Sequence, residues 1–388
     1  MIRFFHTSDW HLGRFLYGHS LLEDQAFILD RLIELIDEKL PHALLISGDI
    51  FDRSLPPESA VTLFDSFLRK VANKRRLPIF IIPGNHDSNE RLGFAASLLR
   101  QLNVTIFARL EDCFSPVKIT GDNGTSALIY GIPFVEPILI GRLLGNEEIR
   151  SPDAAIQLLC RALLEKKPED LPAVLLCHAF VAGGEVSESE KDIFIGGSSQ
   201  VDSRAFNGFA YTALGHLHKP QTAGSANIRY SGSLLPYSKS EIGHLKSITE
   251  IVLDASGKVE STNHTLSQRR ALRYIEGELQ TLVSEGQSLS EDRDDYIIAG
   301  YTDRGAVLDA FARLRLVYPN LLHISRAGGY EPSSLPALSR LREKEKLSEL
   351  DLFAEFFRDA TGADLNDFER DTLIEALNAF SGSEAGLK

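Results

Sequence analysis

Apolar residues in this chain follow two rhythms. Short unbroken runs stand at 2–5 (IRFF), 43–46 (ALLI), 79–82 (IFII), 127–132 (ALIYGI) and 173–176 (AVLL). Each is shorter than a typical helix, and such runs fit strands buried on both faces. Between them, 21–40 (LLEDQAFILDRLIELIDEKL) and 59–72 (SAVTLFDSFLRKVA) repeat their apolar residues at helical spacing, while 226–235 and 247–254 read as later strands. Strand–helix alternation closing on consecutive strands predicts sheets with helices packed outside them.

Near residue 269 the texture changes. LRYIEGEL reads as a strand, TLVSEG as the start of a short helix and DYIIAGYT as another strand. AVLDAFARLRLVY then places Val307, Phe311, Leu314 and Tyr318 on one helical stripe, and LLHIS closes as a strand. This predicts a compact β-α-β-α-β unit over 270–327. PSSLPALSRLREKEK, with its prolines and charge run, reads as a linker. SELDLFAEFFRDATG continues as a helix from an S-x-x-D cap at Ser348 to a stop at Gly362, with Leu350, Phe353 and Phe357 on one face. A second helix runs through Leu373, Ile374, Leu377 and Phe380. The expected domains are 1–268, a small α/β cap at 269–335, and a linker with carboxy-terminal helices at 336–388.

Composition narrows the class. With 43% apolar and 24% charged residues, the 388-residue chain reads as soluble and globular. It has no apolar run near the roughly 18–20 residues of a membrane span, and MIRFFHTSDWH has no signal-peptide core. Cys113, Cys160 and Cys177 lie far apart without CxxC spacing, as expected of buried thiols in the cytoplasm. The formal charge of −13, from 41 Lys and Arg against 54 Asp and Glu, argues against a broad basic face for nucleic acid. A polyanionic substrate would have to meet positive charge supplied locally.

The residues just past each strand suggest that supply. IRFF leads to HTSDWH, with Asp9 and His11; ALLI leads to SGDIFD, with Asp49 and Asp52. IFII leads to PGNHD, with Asn85 and His86; AVLL leads to CHAF, with His178; and YTALGHLHKP brings His216 and His218. Strand carboxy-terminal ends are where open α/β sheets place their sites. Residues two apart in an extended segment face the same side, so Asp9 with His11 suits one ion, and His216 with His218 suits two neighbouring ions. Two-metal sites need a shared ligand, and Asp49, after a glycine, is the natural bridge. A nitrogen and oxygen donor set without thiolate favours Mn, Fe, Zn or Mg. Singly these motifs also occur as polar turns; His6, His19, His42, His244, His264 and His323 fit no such pattern and read as background.

DxH, GDxxD, GNHD, a strand-terminal His and GHxH, in that order, resemble the calcineurin-like metallophosphoesterase superfamily. HTSDWHLG, FVAGGEVSESE with GGSSQVD, ALGHLHKPQ and RYSGSLLPYS are similar to the SbcD family of bacterial DNA nuclease subunits. The resemblance covers essentially residues 1–255. It implies an α/β sandwich of two mixed β-sheets flanked by helices, with a small cap and carboxy-terminal helices. It implies Asp9, His11 and His218 on one divalent ion, Asn85, His178 and His216 on the other, and Asp49 between them; Mn²⁺ is the expected metal. His86 would contact the scissile phosphate and assist the leaving oxygen, with Asp52 orienting it. Two ions against Asp9 and Asp49 would leave a local positive excess inside an acidic protein.

Further implications are an exonuclease and endonuclease on DNA in end processing, repair and recombination, associated with the nucleoid, and a homodimer within a heterotetramer. The chain has no GxxxxGK[ST], so ATP dependence requires a partner, an SbcC-type ABC ATPase with a coiled coil, bound through residues about 345–382. Cys177 departs from the glycine of many relatives, and Ser54 from the protein-phosphatase-like GDxxDRG. Arg269, Arg270 and Arg273 read as a solvated charge run. The alternatives are a small-molecule or cyclic-nucleotide phosphodiesterase of the same superfamily and a metal-free scaffold.

Overall fold

The computed structural model describes residues 1–73, 75–168, 170–190, 200–288, 292–303, 307–327, 350–351, 353–354 and 365–384. The chain divides into two compact units, Met1–Leu272 and Arg273–Lys388.

The larger unit holds two six-stranded mixed sheets. In the first, Ile2–Thr7, Ala43–Ser47, Ile79–Ile82 and Val104–Ile106 run parallel, and Ser247–Leu253 and Val259–Thr265 extend the sheet antiparallel beside Ile2–Thr7. In the second, Ser225–Tyr230, Tyr211–Gly215, Ala173–His178 and Ser126–Ile132 run parallel between antiparallel edges at Gln221–Ala223 and Val117–Thr120. Phe4, Leu45, Phe80, Ile82 and Ile251 from the first sheet interleave with Ile129, Val174, Leu176, Tyr211 and Ala213 from the second. Burial on both faces explains why the central strands read as continuous apolar runs. The outer face of the second sheet packs Leu128, Tyr130, Leu175 and Cys177 against Ile156, Leu159, Cys160 and Leu163 of helix Pro152–Glu165. On the first sheet's side, helix Leu22–Lys39 buries Ile28, Leu29, Leu32, Ile33 and Ile36.

Several elements differ from the expectation. The predicted 226–235 strand ends at Tyr230, because Gly232 turns with φ +76° and a Cβ there would meet His218 O at 2.6 Å. The helix at 59–72 runs as α-helix over Glu58–Leu68 and continues as a π-turn over Arg69–Asn73. Val104–Ile106, Val117–Thr120, Val259–Thr265 and the helix Pro152–Glu165 were not foreseen; Val259–Thr265 is a polar, mostly exposed edge that carries no apolar rhythm. Arg270 departs from a solvated run, since it is half-buried and pairs with the buried Asp24 at 2.9 Å; Arg269 stays exposed and pairs with the exposed Glu23 at 2.9 Å, and both answer the acidic first turn of helix Leu22–Lys39.

In the smaller unit, Leu272–Gly277, Tyr296–Tyr301 and Leu321–Arg326 form a three-stranded sheet with Tyr296–Tyr301 in the middle. Helices Leu279–Ser288 and Ala310–Arg315 accompany it. The second helix is shorter than its stripe suggests, since Asp309 sits left-handed at φ 54° and starts it late. Val307, Leu314 and Tyr318 still pack into the local core, whereas Phe311 is 37% exposed. Arg273 pairs with Asp295 and Asp292. The linker, Ser348, Phe357 and Gly362 lie outside the described residues; Leu350 is half-buried and Phe353 exposed. A helix spans Asp367–Glu384, with Leu373 half-buried and Ile374 exposed, and the side chains of Leu377 and Phe380 outside the description. Among the described residues no helix is long and apolar enough to cross a membrane.

Candidate metal centre

Five strand ends deliver the centre. After Ile2–Thr7 the chain continues as Ser8-Asp9-Trp10-His11. Trp10 is fully buried, with its ring 4.9 Å from Phe67 and 6.2 Å from Phe64 in edge-on contacts, so Asp9 and His11 are fixed on either side of an anchor. This loop is zipped to the next strand end: Asp9 N donates to Gly48 O, His11 N to Asp49 O and Leu12 N to Ile50 O, at 2.9–3.0 Å. Gln25, buried in helix Leu22–Lys39, donates through Nε2 to His11 O and accepts from Gly13 N. Asp9, His11, Asp49 and His216 all have positive φ. Non-glycine residues held this way cost about 1–3 kcal/mol each and cluster at functional sites.

Glycines admit the close approach. A Cβ on Gly84 would stand 2.2 Å from Asp49 Oδ1 and 2.8 Å from His178 Cε1, and one on Gly48 would stand 2.4 Å from His178 Nδ1. The Pro83-Gly84 turn therefore stops the strand and also makes room for the Asp49 carboxylate and the His178 ring.

The side chains converge around Asp49. Its Oδ2 lies 3.6 Å from His11 Nε2, 3.6 Å from His178 Nε2 and 4.0 Å from His86 Nε2. His11 Nε2 and His218 Nε2 face each other at 3.1 Å, and Asn85 Oδ1 faces His178 Nε2 at 2.9 Å. The His178 and His216 rings lie 5.6 Å apart. Three overlapping groups have ligand atoms within 4.8 Å of one another: Asp9 with His11 and His218, His11 with Asp49 and His86, and Asp9 with Asp49 and His178.

Burial sets the charge states. Burial, followed by neighbouring histidines, holds His11 and His216 well below the ordinary imidazole pKa. It also lowers His178 and His218, against opposing pulls from Asp49 and Glu241 respectively. Neutral imidazoles are the form that binds metal. Burial and the Asp49 carboxylate push Asp9 well above the ordinary carboxylate range. Among the described residues no Lys or Arg ion pair answers Asp9 or Asp49. Two buried carboxylates without a cationic side chain, facing converging imidazole nitrogens, form a donor set suited to divalent cations.

The reading of Asp52 needs correction. His86 Nδ1 lies 2.7 Å from the Asp52 main-chain carbonyl, whereas the Asp52 carboxylate accepts from Arg14 Nη1 at 2.9 Å. The turn places the carbonyl toward the imidazole and the side chain toward the guanidinium. Cys177 packs in the core beside Leu175 and Leu217 rather than among the donors, and burial raises its thiol to about 12.

Sequence reasoning missed several residues. Asp87 accepts from Gly84 N, Ile50 N and Phe51 N at 2.9–3.1 Å, tying together the turns that carry Asp49 and Asn85. Burial and Asp49 raise its carboxyl to about 7. Arg14 stacks over Tyr237 at 5.1 Å while holding Asp52. Ser189, Glu190, Glu241 and Lys246 surround His218. Of these, Asp87 ends GNHD, Arg14 follows HTSDWHLG, and Ser189 and Glu190 close FVAGGEVSESE, but none of these stretches gave them a role.

Residues 2–220 match the calcineurin-like phosphoesterase family. Residues 268–361 match the SbcD C-terminal domain, described as the Type 5 capsule protein repressor C-terminal domain. Among solved structures, a protein of Thermus thermophilus is 18% identical, with 68% of this chain and 98% of that one covered and a TM-score of 0.38. A dimetal phosphatase of Danio rerio is 11% identical, with 69% and 99% covered and a TM-score of 0.38. The calcineurin-like phosphoesterase YfkN of Bacillus subtilis is 14% identical, with 69% and 90% covered and a TM-score of 0.36. With more than half its length matched and its donors gathered as that chemistry requires, the chain belongs to the calcineurin-like family of metal-dependent phosphoester hydrolases and is an SbcD-like member of it.

Proposed function

We propose that the protein is the nuclease subunit of an SbcCD-type complex, cutting phosphodiester bonds of DNA ends and hairpins with two divalent ions, Mn²⁺ by preference. The observation that carries this reading is the convergence of Asp9, His11, Asp49 and His218, with Asn85, His178 and His216 alongside, in a chain whose residues 268–361 match the SbcD C-terminal domain. Asp9, His11 and His218 would hold one ion, Asn85, His178 and His216 the other, and Asp49 both. Such a pair of ions, when bound, supplies water activation and charge neutralisation at phosphorus.

The chain's own residues orient the substrate. With His86 Nδ1 committed to the Asp52 carbonyl, Nε2 is the atom left to meet a phosphate oxygen and assist the leaving group. Arg14 holds the Asp52 turn through its carboxylate, so Asp52 acts on His86 through the backbone. In an acidic chain of charge −13, attraction for DNA is focused at this centre.

The boundaries 1–268, 269–335 and 336–388 are retained as the domains of this reading, with the last segment binding the coiled coil of an SbcC-type ATPase. The second copy of a homodimer would use the apolar row Phe94, Leu98 and Leu102, which are 81%, 64% and 51% exposed. A substrate panel tests the activity. Purified protein, with and without the ATPase, is given Mn²⁺ and either end-labelled linear duplex, hairpin DNA or cyclic nucleotides. Cleavage of the DNA substrates is expected; turnover confined to small diesters would refute the nuclease assignment.

A further inference from the structure

His218 is held differently from His178 and His11. His178 Nδ1 lies 2.9 Å from a main-chain carbonyl, Ser47 O, and His11 Nδ1 is buried without a hydrogen-bond partner. His218 Nδ1 instead lies 3.2 Å from a carboxylate oxygen, Glu241 Oε1, and 2.7 Å from Ser189 Oγ. Ser189 Oγ also donates to Glu241 Oε1, and Ser238 Oγ donates to the same oxygen at 3.1 Å.

The carboxylate is itself anchored by a cation. Lys246 Nζ donates to Glu241 Oε2 at 2.5 Å, to Ser233 Oγ at 2.8 Å and to His218 O at 2.9 Å, which satisfies its three N–H bonds. Glu241 and Lys246 are 1% and 2% exposed. A buried pair of this kind is weak evidence for added stability, because desolvation offsets most of the attraction. Its placement therefore asks for another role. Lys246 holds the backbone of His218, and Glu241 holds its ring. Glu190 completes the grip by accepting from His218 N at 2.6 Å.

The geometry points to Glu241, anchored by Lys246, as the positioning residue that fixes the His218 tautomer with Nδ1–H toward the carboxylate and Nε2 toward the ion shared with Asp9 and His11. Carboxylates behind ligating histidines orient the ring and raise its basicity, and their loss typically weakens metal binding about 10–100-fold. Because Glu241 backs only one side of the centre, its loss strikes one ion and spares the other. The inference rests on the dinuclear reading of the centre. It adds residues from the 238–246 segment, which no motif of the sequence marked as functional beyond RYSGSLLPYS.

The test is Mn²⁺ titration of full-length metal-free protein by calorimetry, with electron paramagnetic resonance to separate coupled from isolated ions. E241Q keeps the shape but leaves Lys246 unpaired, so E241Q/K246M, which removes both charges, is measured beside it. Wild type is expected to bind two ions with a coupled signal. The double variant, at wild-type helicity, should bind one ion normally and the other about 10–100-fold more weakly, with isolated-ion lines at stoichiometric metal. Two ions bound with wild-type affinities by the double variant would overturn the positioning role, even with a lowered melting temperature. Equal weakening of both ions would also overturn it. Wild type that binds no pair of ions would bring down the dinuclear reading, and this inference with it.

Discussion

Asp87 shows how much a single carboxylate can organise. It accepts three main-chain N–H groups from the two turns that carry Asp49 and Asn85. Asp87→Ala would leave those three buried donors without their acceptor, so a loss of roughly 2–4 kcal/mol is expected, measurable by urea unfolding of the metal-free protein. A loss under about 0.5 kcal/mol, the range of ordinary surface substitutions, would show that water replaces it. Only the GNHD motif hinted at this residue, and it gave Asp87 no role. Glu241, Lys246 and Arg14 were less legible still. Each is one polar residue in a mixed stretch, and its importance comes from partners 23 to 38 positions away or from its neighbours in a turn. The candidate donors could be singled out because each lies just past a buried strand and repeats a recognisable spacing, whereas no spacing told that Asp52 would meet His86 through its carbonyl.

At the scale of elements, the strand Ile2–Thr7 carries a pH liability. His6 is fully buried, faces Tyr211 OH at 2.9 Å and Leu214 O at 3.1 Å, and burial lowers its pKa from 6.5 to about 3. The unfolded chain takes up this proton below pH 6.5 and the folded chain only near pH 3. Its contribution to stability is therefore complete above pH 6.5 and falls as pH drops toward 3, by up to about 1.4 kcal/mol per pH unit. The non-titrating His6→Gln variant should show a shallower decline between pH 6 and 4, by about one proton, in metal-free urea titrations. Identical slopes would mean that His6 does not titrate on unfolding. The turn after Ile79–Ile82 makes a second claim. Gly84→Ala sets a methyl 2.2 Å from Asp49 Oδ1, so it should lower metal affinity and turnover together while leaving the secondary structure seen by circular dichroism unchanged. Element boundaries failed where polar edges or left-handed residues intervene, as at Val259–Thr265 and Asp309. Continuous apolar runs gave the central strands because burial on both faces leaves no alternation to misread.

For the whole molecule, the expectation concerns assembly. Phe94, Leu98 and Leu102 present large apolar side chains to solvent on one short stretch. F94E/L98E should convert a dimer into a monomer by light scattering, since charges on a buried apolar interface are costly to desolvate; a variant that remains dimeric would place the interface elsewhere. Removing residues after 340 should leave metal-dependent cleavage intact and abolish capture by an SbcC-type ATPase. Retained capture would move the partner surface to another part of the chain.

The measurement that most directly tests the account is Mn²⁺-dependent cleavage of end-labelled duplex and hairpin DNA by wild type and His86→Ala, with bound metal counted in both preparations. The account predicts two bound ions in each protein, cleavage by the wild type, and a near-complete loss of cleavage in the variant, because Nδ1 is held by Asp52 O and the proposed function gives Nε2 to the scissile phosphate. Normal cleavage by His86→Ala, or a wild type that binds two ions and cuts only small diesters, would contradict it.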